Sequence, residues 1–297
     1  MIPRHLLDIT DLTPGELRHV VALSTAGPRP VLAGKGVAII FEKASNRTRQ
    51  SMEMAVVQLG GHPVYTRGEE VGFDTREPVE DVTRIMAGYH GLLAARVYSH
   101  STVERMAAVS TVPIVNMLSD HSHPLQAIAD VITMQRHIAP IDSLKVAWVG
   151  DYNNVARSLA ESVLMLGGAM SFACPAGYRP DAAETARLEG FGQVSVSDDP
   201  AEAVSGAHVV HTDTWVSMGQ EAEATERAAT FAPYRVDETL MAGAAPGARF
   251  MHCMPAYRGK EVSAEVMDGP RSLAIEQGHH RLTAARGALT FLMEASA

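Results

Sequence analysis

GVAIIFEKASNRTRQSMEMAVVQL, residues Gly36–Leu59, sets the fold class. Its first six residues are apolar without alternation, as in a strand covered on both faces. From Ser45 onward the period changes: Met52, Ala55, Val56 and Leu59 recur at helical spacing, and Ser45 stands where a helix cap belongs. A buried strand that runs within a few residues into an amphipathic helix is the opening of an α/β unit.

The alternation continues in both directions. Further strand candidates in the first half are His62–Tyr65, Gly91–Val97 and Val112–Val115. In the second half they are Lys145–Val149, Met170–Ala173, Ala207–His211 and Arg249–His252. A helix is expected over His123–His137, with Pro124 near its first position and Leu125, Ile128, Ala129 and Ile132 on one face. Ile138–Leu144, with Pro140 and an Asp-Ser turn signal, marks an inter-domain boundary, and a last helix runs from about Arg281 to Met293. The expected organisation is therefore a domain over 1–137 and a second over 138–280, with the helix of 281–297 packing back on the first. A length of 297 residues gives each domain enough chain for its own core.

Composition narrows the function classes. The formal net charge is −9 and no dense Lys or Arg run occurs, which argues against a nucleic-acid partner. No apolar run approaches the roughly 20 residues that span a bilayer, and no signal or transit peptide is visible, so no membrane partner is expected and the cytoplasm is the default. Cys174 and Cys253 have no metal-ligand spacing and support no disulfide framework; the 13 histidines are scattered, and His279-His280 is too short a tract for a metal site.

Five segments carry chemistry. Phe41–Arg49 (FEKASNRTR) sets Ser45, Asn46, Arg47, Thr48 and Arg49 at a helix start, where open amides, the helix dipole, hydroxyls and a planar guanidinium suit phosphate oxygens. A capped helix with solvated arginines is the plain alternative. Ser119–Gln126 (SDHSHPLQ) brings His123 and Gln126 to one face of a first turn, where donors can polarise a carbonyl, although a His beside a Pro at a helix start is more often a simple cap. Gly150–Asn154 (GDYNN) follows a strand but lacks the glycine fingerprint of a dinucleotide site. Asp213–Gly219 (DTWVSMG) offers a carboxylate for a cationic amine and Ser217 for a polar head group. His252–Ala256 (HCMPA) puts Cys253 at a strand end, where open α/β sheets build sites.

Taken in order, SNRTR, Arg96 after a strand, HPxQ, GDxNN, DTWxSMG, HCxPA and the late Arg281 resemble the motif series of the ornithine carbamoyltransferases, within the aspartate/ornithine carbamoyltransferase family. The resemblance spans essentially the whole chain. It implies two doubly wound parallel-sheet α/β domains with the active site in the cleft between them, usually assembled as a homotrimer. It implies carbamoyl phosphate as one substrate, a small amino acid or amine as the other, and neither metal nor organic cofactor. By the same resemblance Ser45, Asn46, Arg47 and Thr48 hold the phosphate, and Arg96 bridges phosphate and carbamoyl oxygen. His123, Gln126 and Arg281 bind the carbamoyl group, helped by backbone near Cys253 and Met254. Asn154, Asp213, Ser217, Met218 and Cys253 hold the amino acid, and Arg96, His123, Asp213, Cys253 and Arg281 form the catalytic set. The implied reaction gives citrulline and phosphate in arginine biosynthesis.

Departures from the family pattern fall in three places. Asn46 replaces the usual Thr, the 68–82 loop is about two residues longer with Glu70 where Gln or His is frequent, and His279-His280 replaces Glu-Asn before Arg281. A carboxylate at 70 would repel phosphate unless it turns away or pairs, for which Arg76 is a candidate. These departures leave open a different diamine or diamino acid as acceptor, or a catalytically silent relative that only binds. A nucleotide-dependent oxidoreductase is the third reading, disfavoured by the missing glycine fingerprint.

Overall fold

The computed structural model describes residues 3–216 and 221–296, which divide into two compact units, 1–132 with 280–297 and 133–279. The divisions fall inside two helices, Pro124–His137 and Ala274–Ala295, so both crossings between units are made by continuous helix.

The first unit is built on a wholly parallel sheet of β1 (Gly36–Phe41), β2 (His62–Arg67), β3 (Leu92–Arg96) and β4 (Ile114–Leu118), in the order β2-β1-β3-β4. Val37 to Ile40 of β1 and Leu92 to Ala95 of β3 are wholly buried, as the unalternating apolar runs require. The helices Asn46–Gln58, Val79–Tyr89 and His100–Val109 are the three crossovers. The chain leaves β1 for β2 on one side and returns to β3 on the other. The gap beyond the carboxyl ends of β1 and β3 is therefore the switch point where an open α/β sheet leaves a crevice. At the end of β3 the pairing with β4 slips between Ala95 and Arg96, a bulge that re-aims the last side chain of the strand.

The last helix returns to this unit so closely that one residue is obliged to lack a side chain. A Cβ on Gly287 would lie 2.7 Å from both Ser24 N and Val20 O, backbone atoms that cannot swing aside. Gly287→Ala is expected to cost about 1–3 kcal/mol of stability, the range for overpacking. Denaturant unfolding measures it, and an unchanged midpoint would show that the two helices can separate cheaply.

The second unit repeats the plan with β5 (Lys145–Val149), β6 (Ala169–Ala173), β7 (Val194–Ser197), β8 (Val209–Thr212) and β9 (Arg249–His252), all parallel, in the order β7-β6-β5-β8-β9. Its switch point lies between β5 and β8, where Thr212 Oγ1 donates to Val149 O across 2.5 Å. The helix Asn154–Met165 that follows β5 buries Val155, Ala156 and all of Ser158–Met165, and its one buried carboxylate, Glu161, is paired with Arg157 and Arg187.

Three differences from the sequence expectation have local causes. β7 is a short edge strand, VSVS, only partly buried, and carries too little apolar pattern to register. β4 begins at Ile114 and not at Val112, because Pro113 has no N–H for the ladder. The final helix starts at Ala274, about two turns before Arg281; Gly278 and the two histidines obscure its first turns in the sequence.

Candidate active site

At the switch point of the first unit, Ser45 caps the helix Asn46–Gln58, its hydroxyl accepting from Thr48 N at 3.4 Å. Thr48 is almost wholly buried, and its hydroxyl oxygen receives three donors: Ser45 Oγ at 3.1 Å, Arg96 Nη1 at 3.3 Å and Arg281 Nη2 at 3.0 Å. A neutral hydroxyl has only two lone pairs. Two buried guanidiniums converging on it are more donor and more positive charge than it can use, which points to an anionic or polarised oxygen as the natural occupant. Arg281 also donates to Gln126 Oε1 at 2.6 Å, and Gln126 Nε2 donates to Asp130 Oδ1 at 2.7 Å. That chain fixes the amide of Gln126 with its oxygen toward Arg281.

His123 is buried beside this group. Burial first, then the positive charges of Arg281 and Arg96, hold its pKa well below the ordinary imidazole value. The ring is accordingly neutral at physiological pH, with one N–H to donate. The unfolded chain takes up a proton near pH 6.5 that the folded chain refuses, so stability is complete above that pH and falls as pH drops below it. His123→Gln is expected to remove about 1.4 kcal/mol per pH unit from that decline between pH 6.5 and the lowered value. Urea titrations at pH 7.5 and 5.5 measure it, and an unchanged difference between them contradicts the neutral assignment.

The remaining phosphate candidates are on or near the same turn. Arg47 is half-buried and makes no hydrogen bond or ion pair within the described residues, whereas Asn46 is exposed. Arg49 is turned elsewhere, stacked 3.8 Å from the centre of the Tyr65 ring and bonded to Glu53. Glu70 accepts from the backbone N–H of Arg67 at 3.0 Å, capping its own short helix. Its partner is thus that amide and not Arg76.

In the second unit the centre is Asp213, immediately after β8. Asn153 caps the helix Asn154–Met165 with its oxygen, accepting from Val155 N and Ala156 N at 3.0 Å each. Its Nδ2 donates to Asp213 Oδ2 at 2.9 Å, across the switch point. Asp213 Oδ1 accepts from Thr214 N at 2.8 Å and from the Cys253 thiol at 3.1 Å. Asn154, the residue the sequence pointed to for the amino acid, is the first residue of that helix, and Asn153 beside it makes the bond to Asp213 because a cap side chain faces the neighbouring strand end. Met254 adopts a left-handed backbone, φ 56°, which costs a non-glycine residue about 1–2 kcal/mol. Ser217 and Met218 lie outside the described residues.

Two further groups had no signal in the sequence. Arg227 is 3% exposed and ties the loop after β5 to the loop after β8, donating to Asp151 Oδ2 and, at 2.5 Å, to Trp215 O. Tyr152 OH donates to Glu184 Oε1 at 2.5 Å and secures the same loop from the outside. Each is a single residue far in sequence from its partner, so spacing cannot reveal it. Asp213, His252 and Cys253 place their ligand atoms within 4.8 Å of one another, and among the described residues no other His, Cys, Asp and Glu group is gathered so closely. Each is already engaged, His252 Nδ1 with Met254 N and Cys253 with Asp213, so the cluster reads as a hydrogen-bonded one.

The arrangement can therefore do two things: cradle a phosphate and polarise a carbonyl oxygen on the first unit, and hold an amine against a carboxylate and a thiol on the second. Comparison with known proteins agrees. Residues 4–136 match the carbamoyl-phosphate-binding domain of aspartate/ornithine carbamoyltransferases, and residues 142–292 match their aspartate/ornithine-binding domain. An ornithine carbamoyltransferase of Hyperthermus butylicus is 43% identical, with 98% of this chain and 97% of that protein covered. One from Thermus thermophilus is 41% identical over 99% and 98%. Among solved structures, the ornithine carbamoyltransferase of Pyrococcus furiosus superposes with a TM-score of 0.94 at 39% identity, covering 98% of this chain and 97% of that one.

Proposed function

This chain belongs to the aspartate/ornithine carbamoyltransferase family, and we propose the following assignment of its residues to the family's reaction, with ornithine as acceptor. The enzyme transfers the carbamoyl group of carbamoyl phosphate to the side-chain amine of ornithine, giving citrulline and phosphate. The observation that carries the residue assignment is the convergence of Arg96, Arg281 and Ser45 on the Thr48 oxygen.

Phosphate oxygens sit at the Ser45–Thr48 turn, met by helix amides, hydroxyls and Arg47. The carbamoyl oxygen takes the donors of Arg96, Arg281 and neutral His123. The ornithine amine must attack unprotonated, although a free alkylammonium titrates near pH 10.4. Asp213 and Cys253 bind and orient that amine. Its nitrogen forms the bond to the carbamoyl carbon, negative charge gathers on the carbamoyl oxygen, and the bond to the phosphate oxygen then breaks as the amine proton passes to the leaving phosphate. The guanidinium and imidazole donors stabilise the charge where it develops. Ser217 and Met218 complete the amino-acid site in this assignment, and a homotrimer acting in the cytoplasm in the anabolic direction completes the biological reading; similarity to the anabolic ornithine carbamoyltransferase of Pyrococcus furiosus, at 43% identity, supports that direction.

The test is ureido-product formation from carbamoyl phosphate with ornithine, lysine, putrescine, 2,3-diaminopropionate, N-acetylornithine and aspartate. Turnover of ornithine above the others is expected, and preference for another amine would relocate the acceptor. Arg47→Ala is expected to weaken carbamoyl phosphate binding by about tenfold to a hundredfold, the loss of one charge-assisted contact of roughly 1.5–3 kcal/mol. Calorimetric titration reads it, and an unchanged affinity takes Arg47 out of the phosphate site.

A further inference from the structure

Behind Cys253 lies a buried polar chain that the reaction as written does not use. His252, Glu261 and Gln277 are each wholly buried. Met254 N donates to His252 Nδ1 at 2.8 Å, so that nitrogen carries the lone pair and the proton of the neutral ring resides on Nε2. Nε2 faces Glu261 Oε1 at 3.4 Å, and the same carboxylate oxygen accepts from Tyr257 N. The His252 amide donates to Gln277 Oε1 at 2.8 Å, and Gln277 Nε2 lies 3.0 Å from His211 Nε2. His211 in turn directs Nδ1 at Thr212 O, 3.1 Å away. Thr212 and His252 are paired residues at the ends of β8 and β9, and Asp213 and Cys253 are the next residues along each strand.

We propose that His252 is a positioning residue for carbamoyl transfer: its Nδ1 captures the Met254 amide and fixes the Cys253–Met254 peptide, and with it the thiol on Asp213. Met254 needs such a restraint, because an unbranched side chain gives no reason for a left-handed backbone. Gln277 sets the height of the strand ends, and His252 sets the turn that leaves one of them. A buried histidine serving only stability would not need Nδ1 as the acceptor for the one amide that follows the reacting thiol.

The inference rests on the assignment of Cys253 and Asp213 to the acceptor amine. The experiment compares His252→Asn with His252→Gln in the full-length enzyme. The Asn amide oxygen falls close to the place of Nδ1 and still accepts from Met254 N, whereas Gln reaches the place of Nε2 and leaves that amide without its acceptor. His252→Asn is expected to keep kcat within about threefold, and His252→Gln to lose about a hundredfold, the scale of a small misplacement of a reacting group. Carbamoyl phosphate affinity, read by calorimetry, stays within about twofold in both variants. A nitrogen-15 spectrum of histidine-labelled wild-type protein is expected to show His252 with Nδ1 unprotonated, a readout independent of activity. Equal kcat for the two variants, or an Nδ1-protonated ring, overturns the proposal. Absence of ornithine turnover by the wild type overturns the acceptor assignment instead, and leaves the tautomer result to stand by itself.

Discussion

Arg281→Met is expected to lower kcat/KM for carbamoyl phosphate by about a thousandfold or more. Loss of one donor to a developing oxyanion typically costs a factor of about 10²–10³, roughly 3–4 kcal/mol. Arg281 does more than that, since it also organises its neighbours. It is 6% exposed, with one nitrogen on Gln126 Oε1 at 2.6 Å and another on Thr48 Oγ1 at 3.0 Å. Methionine fills a similar volume and leaves Gln126 Oε1 without its charged donor, so the amide is free to rotate away from the carbamoyl group. Arg281→Lys is expected to recover little, because an ammonium is a point donor and cannot span two acceptors as a planar fork does. Steady-state kinetics on both variants measure the effect, and a Lys variant near wild type would show that charge alone matters.

Asp213→Asn is expected to reduce kcat/KM for ornithine by about a hundredfold to a thousandfold while leaving carbamoyl phosphate affinity within twofold. The substitution keeps size and shape, but it removes the charge that an incoming ammonium needs before it sheds its proton. Breaking a charged hydrogen bond at a partly buried site costs roughly 2–4 kcal/mol. It also changes the partners: Asp213 accepts from Asn153, Thr214 N and Cys253, and an amide can meet three donors with only one oxygen. The separation of the two affinities is what identifies the residue with the acceptor. Equal losses for both substrates would place Asp213 in the general scaffold of the second unit.

Much of this molecule was readable before any coordinates. The strands GVAIIF, KVAWV and RFMH have the bounds that their apolar runs suggest, because buried parallel strands admit little else. Ser45 as a cap and Pro124 as a first helical residue follow from local backbone chemistry, which acts over three or four residues and so leaves its mark in the sequence. The order of motifs was legible for the same reason: all but the late Arg281 lie at the carboxyl end of a strand, and the chain passes those ends in a fixed order.

What only the tertiary structure decided is how groups distant in sequence meet. That Thr48, Arg96 and Arg281 share one oxygen depends on the order β2-β1-β3-β4, on the bulge at Arg96, and on the return of the last helix at Gly287. That Asn153 meets Asp213 depends on which side of a helix start faces the neighbouring strand. Arg227 meets Asp151 and Trp215, and the His252 amide meets Gln277, residues that no spacing rule links to them. The sequence by itself determined the elements, their caps and the residue types at each strand end, since these are set by short-range sterics and by burial period. The tertiary structure alone decided partners, protonation and aim, since these depend on distances and on desolvation that arise only when the packed core excludes water.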